Sequence, residues 1–252
     1  MPSSRESESL GSAWNMVYSH GFGGFAVLLS IVTCILIIVW VLTPAGGGLG
    51  LRETTGTTEY FNWHVVLMSA GFLLFMTPAT SAFEVYEACS RGANKNIHGA
   101  LQTAAVCCIG VAYYIIYDCH MIQSDKGLAN TMHSISGYIT MALVGLTYMM
   151  GFTLYVLKIG GSLRGELKPL HKRLGMVSMF MGYATMLMGM TEKANGLTDY
   201  GLVFAQVIVG LIIGTTLAVT FSIVKFVDKK EYDFEFKYTS IGDEADTTVQ
   251  LM

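Results

Sequence analysis

The chain has 252 residues, 52% hydrophobic and only 13% charged, with a mean hydropathy of +0.51 and a formal net charge of −3. A soluble domain carries roughly 25% charged residues, so this composition excludes an ordinary soluble fold. It points instead to an all-α polytopic membrane protein, and the absence of a basic-aromatic surface excludes a nucleic-acid partner.

Residues 1–20 are polar (Ser3, Ser4, Arg5, Glu6, Glu8) and lack the pattern of a removable signal peptide, so they read as a tail. The first apolar run, 21–43, then acts as an uncleaved anchor and stops at Gly46-Gly47-Gly48 and Gly50. Further runs follow at 60–83, 98–119, 131–157, 170–190 and 200–227. Each is close to the length of about 20 residues that crosses the hydrocarbon core, which predicts six transmembrane helices. Asp118 and Ser124-Asp125-Lys126-Gly127 close the third run, Gly160-Gly161-Ser162 the fourth. Pro169 precedes the fifth, where a proline loses no needed hydrogen bond. Gly210 and Gly214 in the sixth have the small-xxx-small spacing that lets helices approach closely. Residues 228–252 are mixed in charge and read as a solvated tail, leaving one domain, 21–227, between two tails. Cys34, Cys89, Cys107, Cys108 and Cys119 show no zinc-site spacing, and no disulfide is expected.

Lys and Arg set the orientation. Twelve of the fifteen fall in the N-terminus, the loops 84–97 and 158–173 and the C-terminal end from Lys225 onward; only Arg52, Lys126 and Lys193 fall on the other side. Both termini are therefore expected in the cytoplasm. The plasma membrane and an endolysosomal or vesicle membrane fit this pattern equally.

Four histidines sit near the starts of four successive spans: His64, His98, His133 and His171, at intervals of 34, 35 and 38 residues. Successive helices run in opposite directions, so these positions alternate between membrane faces. His64 and His133 share the outer face; His98 and His171 share the inner one. Imidazole is a good axial ligand for six-coordinate haem iron, which takes two from opposite sides. The spacing therefore predicts two stacked b-type haems per chain inside a four-helix redox core made of spans two to five. Spans one and six carry no such histidine and are expected at the periphery. No Walker or dinucleotide-type glycine fingerprint appears, so no flavin or NADPH domain is expected.

Several motifs resemble the cytochrome b561 family. They are Phe61-Asn62-Trp63-His64 with Leu67-Met68 and Gly71, then Lys95 with His98-Gly99, then Arg164 through Pro169 to His171 and Gly175, and finally Gly189 with Thr191-Glu192-Lys193. The resemblance covers roughly residues 20–228. It implies a dimeric six-helix ferrireductase that passes electrons from cytoplasmic ascorbate to monodehydroascorbate or ferric chelates on the other side. Its ligand pairing, second span with fourth and third with fifth, is the one the topology reaches independently. The chain departs from the family at Val65, at Ile135-Ser136, and at Glu84 and Glu87, where many members carry arginine.

Ascorbate is a small monoanion, so its site needs cations and hydrogen-bond donors. By resemblance, Lys95 and Arg164 match the family's donor-site positions, and Arg91 stands where the family often has lysine. On the outer face, His120 ends the third span where the family often has a histidine at the acceptor site. The carboxylates at the inner loop keep a second reading open: a haem-binding redox sensor or subunit that uses a donor other than ascorbate.

Overall fold

The computed structural model describes residues 4–51, 57–85, 89–122, 131–158, 164–195 and 197–223. Helix α1 (Ser4–Leu42) comes first. Next, α2 (Thr57–Ser69) runs through a π-helical segment, Ala70–Met76, into α3 (Thr77–Val85). Helix α4 (Arg91–Tyr117) ends in a second π-helical segment, Asp118–Ile122, and α5 (Met132–Gly151) in a third, Phe152–Val156. Helix α6 covers Arg164–Ala194, and α7 covers the last span, Asp199–Ile223. No strand occurs among the described residues.

Six stretches are long and apolar enough to cross a membrane: Gly21–Leu42, Thr58–Phe83, Arg91–His120, Met132–Val156, Arg164–Ala194 and Asp199–Ile223. The fold is all-α and polytopic, as the apolar runs predict. The first crossing starts at Gly21 as expected, with residues 4–20 helical ahead of it as the start of α1. Two other spans start earlier than the sequence expectation. The third span starts at Arg91, because the Ser90 hydroxyl caps the helix by accepting from the Ala93 N–H at 3.2 Å. The fifth starts at Arg164, so Pro169 lies inside the helix and not ahead of it. The proline removes the donor that would reach the Gly165 carbonyl, but Gly165 is exposed and water can replace it. Arg91, Lys95, Arg164, Lys168 and Lys172 therefore sit on helix ends. The tail 228–252, Glu87 and Lys126 lie outside the described residues, as does the side chain of Glu84.

The loop after the first span shows how a glycine run is used. Gly47 and Gly48 adopt φ of 92° and 79°, a region that disfavours side chains. Asn62, fully buried, donates through Nδ2 to the carbonyls of Gly46 and Gly48 at 2.8 and 2.7 Å. This bond ties the loop to the start of the second span.

The second and third spans pack as one antiparallel pair, the fourth and fifth as another. The first span lies against the second, and α7 lies against the first: Phe22 meets Phe221 at 6.1 Å between ring centres. A Cβ at Gly214 would meet Leu29 at 3.3 Å, whereas Gly210 faces open space, so only one of the two small residues serves this contact. Trp40, Ile37, Ile208 and Ile212 are buried where these outer helices meet the core. All five cysteines are free.

Candidate functional site

The four histidines form two couples at opposite ends of the bundle. His64 and His133 have ring centres 6.3 Å apart, with planes at 89°. His98 and His171 have ring centres 6.4 Å apart, with planes at 77°. Each couple joins one helix of the first antiparallel pair to one helix of the second, the pairing predicted from the spacing.

Each of these four histidines is held by a backbone carbonyl. Nδ1 of His64 donates to Ala112 at 3.1 Å, and that of His98 to Ala79 at 2.7 Å. Nδ1 of His133 donates to Thr185 at 2.9 Å, and that of His171 to Thr147 at 3.2 Å. A carbonyl can only accept, so Nδ1 carries the proton and Nε2 keeps its lone pair. Such a bond is worth about 0.5–1.5 kcal/mol and fixes both tautomer and ring direction.

Two glycines make room for the rings. A Cβ at Gly189 would come within 2.7 Å of His133 Cε1, and one at Gly151 within 2.8 Å of His171 Cε1. The fourth and fifth spans thus repeat one pattern. His133 precedes Thr147 by 14 residues and Gly151 by 18; His171 precedes Thr185 and Gly189 by the same intervals. Eighteen residues are five whole turns at about 3.6 residues each, so histidine and glycine share a helix face. Antiparallel packing then seats each histidine on the other helix's glycine.

This donor set fits the predicted cofactor. A metal–imidazole bond is about 2 Å and the ring centre lies about 1 Å beyond the nitrogen, so two axial imidazoles on one metal have centres about 6 Å apart. Among the described residues no group of three or more His, Cys, Asp or Glu is placed to hold a bare metal ion. Two facing imidazoles suit an iron whose remaining ligands come from a macrocycle. At the His64 end a cavity of about 350 Å³ is lined by His64, His133, Met68, Phe72, Tyr138 and Gly189, an apolar wall for a flat ring.

Residues expected at the substrate sites fall beside the couples. At the His98 end, the Lys95 ammonium lies 5.9 Å and the Arg164 guanidinium 5.5 Å from the ring centre of Tyr155. Tyr155 in turn meets the His171 ring edge-on at 6.0 Å. Sequence reasoning missed Tyr155. It lies in the π-helical segment ending the fourth span, and only the fold brings it between cations from two other helices. Arg91 stands at the first position of α4, exposed, one turn before Lys95, and is not drawn into this cluster. At the His64 end, His120 lies in the π-helical segment ending the third span and stacks on Phe61 at 6.4 Å. Phe61 also meets the His64 ring at 5.7 Å. The Lys193 ammonium lies over the Phe61 ring, 5.7 Å from its centre, and donates to the Asn62 side-chain oxygen at 3.3 Å. Asp118, which closes the third run, is buried.

Residues 63–196 match the family model described as eukaryotic cytochrome b561. The chain is 32% identical over 171 residues to the plasma membrane ascorbate-dependent reductase CYBRD1 of Xenopus laevis, covering 67% of this chain and 59% of the relative. It is 28% identical over 177 residues to the probable ascorbate-specific transmembrane electron transporter 1 of Oryza sativa subsp. japonica, covering 69% and 74%. It is 25% identical over 218 residues to the ascorbate-specific transmembrane electron transporter 1 of Zea mays, covering 81% and 90%. The chain thus spans less than two thirds of the length of the frog relatives.

Proposed function

The chain belongs to the eukaryotic cytochrome b561 family, and we propose that it moves single electrons across a membrane from ascorbate to a one-electron acceptor on the opposite face. Membership of a cytochrome b561 family implies b-type haem. In this proposal each chain holds two: His64 and His133 bind one, His98 and His171 the other. When bound, haem supplies a reversible one-electron couple at each level. The observation that carries the reading is the set of four Nδ1–carbonyl bonds, which leave four Nε2 lone pairs as two facing couples.

The chain's own residues have distinct tasks. Lys95 and Arg164 bind the ascorbate anion over Tyr155, against the His171 ring. Their charges also favour the anionic product radical, while the released proton leaves to bulk water. Arg91 adds positive potential at this mouth. The buried apolar walls keep water and substrate out of the bundle, so only electrons cross. His120, Phe61 and Lys193 offer the acceptor, a ferric chelate or monodehydroascorbate, a cationic ledge beside His64. The ascorbate end is cytoplasmic, both termini lie on that side, and the protein acts as a homodimer; these parts of the proposal rest on the lysine and arginine distribution and on the family.

Purified protein tests this reading. We expect two haems per chain and rapid bleaching of the oxidised Soret band by ascorbate, and His98→Ala should remove one haem and slow the bleaching. Full haem content after replacing all four histidines by alanine would reject the ligands. Reduction by dithionite but not by ascorbate would instead select the sensor or subunit reading with another donor.

A further inference from the structure

Three of the four intervals between a histidine and the supporting carbonyl on the same helix are identical. His98 to Ala112, His133 to Thr147 and His171 to Thr185 are each 14 residues, but His64 to Ala79 is 15. In an unbroken α-helix one surplus residue turns everything after it by about 100°. Ala79 would then face away from His98. Yet its carbonyl makes the shortest of the four bonds, 2.7 Å.

The surplus residue is absorbed in Ala70–Met76, where a π-helical turn takes one more residue than an α-turn. Pro78 gives a local reason for the turn. It has no N–H to offer the Leu74 carbonyl, and its ring would clash there in a regular helix. Thr77 closes the turn. Its backbone N–H and its hydroxyl both donate to the Phe72 carbonyl, the hydroxyl at 2.9 Å. That hydroxyl has one proton, already used, so the Tyr183 hydroxyl must donate to Thr77 Oγ1, at 2.6 Å. Thr77 is 0% exposed and Tyr183 1%. Thr77 lies two residues before Ala79, and Tyr183 lies two residues before Thr185. The Thr77–Tyr183 bond therefore joins the segment supporting His98 to the segment supporting His133, through the middle of the bundle.

We propose that Thr77, locked by Tyr183, is a positioning residue for His98: it closes the π-helical turn that brings the Ala79 carbonyl onto His98 Nδ1. This rests on the reading that His98 and His171 hold a haem. Losing that carbonyl makes the imidazole a weaker donor and stabilises ferric iron less, so the potential of that haem rises.

The test is a redox titration of the purified full-length holoprotein, with electron paramagnetic resonance of its two low-spin ferric signals. Thr77→Val should move one haem to higher potential and change its signal, leaving the other in place; His98→Ala identifies which signal is lost. Thr77→Ser should restore both properties, and Tyr183→Phe should give a smaller shift in the same direction. Unchanged titrations in Thr77→Val and Tyr183→Phe, or equal shifts of both haems, would overturn the proposal. A His98→Ala protein that keeps two haems would remove the ligand reading itself, whatever Thr77 does.

Discussion

At the scale of single residues, a glycine is the most constrained position around each histidine of the fourth and fifth spans. His133 is pinned by Thr185, so it cannot retreat from a methyl group at position 189 without giving up its hydrogen bond. Gly189→Ala should therefore lower haem content to about one per chain by pyridine haemochrome assay, with the protein still monodisperse in detergent; retention of both haems would show that the ring tolerates the methyl. Gly145, with nothing near its Cβ direction, is the control position, and Gly145→Ala should leave content unchanged. The cations over Tyr155 act differently, on binding. A hydrogen bond to a charged group is worth about 1.5–3 kcal/mol, so Arg164→Ala should raise the half-saturating ascorbate concentration by roughly 10- to 100-fold while leaving both haem spectra intact. A spectral change in Arg164→Ala would assign it to haem support instead.

At the scale of elements, helix phase decides what meets what. One alanine inserted after Val144 would turn Thr147 and Gly151 by about 100° relative to His133. The insertion should abolish the haem held by His171 while sparing the one held by His64 and His133, read as loss of one of two redox steps. Insertion within the exposed end of the same span, after Val156, should spare both. This dependence on phase also explains what the sequence reveals and what it hides. The two histidine couples were legible because span length and alternating helix direction act on one-dimensional spacing. The repeat of threonine and glycine 14 and 18 residues beyond His133 and His171 is present in the sequence but was not read there, because it acquires meaning only when antiparallel packing is imposed on it. Tyr155 was not, because its meaning comes from Lys95 and Arg164 on two other helices. Nor was the early start of the third and fifth spans. Arg91, Lys95 and Arg164 look like loop residues by charge, yet the Ser90 cap opens the third span ahead of Arg91, and the fifth runs through Gly165 and Pro169 against their weak helix propensity.

At the scale of the whole molecule, the decisive quantity is the distance between the two couples. Three of the four His-to-carbonyl intervals are 14 residues, about 21 Å of helix, so the histidine levels lie on the order of 20 Å apart. Porphyrin rings at the two levels would shorten the gap between their edges, and Phe72, Met179 and Tyr183 pack the intervening core. With that buried core between them, the electron transfer proposed above runs between two unlike ends. Lys95 and Arg164 lie at one end; His120 and Lys193 lie at the other. Vesicles holding the protein in one orientation, fixed by protease access to the C-terminus, should reduce external ferric citrate when loaded with ascorbate on the Lys95 side. The Arg164→Ala protein should do so more slowly at the same ascorbate load. Ascorbate confined to the His120 side should give little sustained flux to ferric iron on the Lys95 side. Equal rates in both directions would mean that the cation cluster over Tyr155 does not select the donor, and the asymmetry of the two ends would need another function.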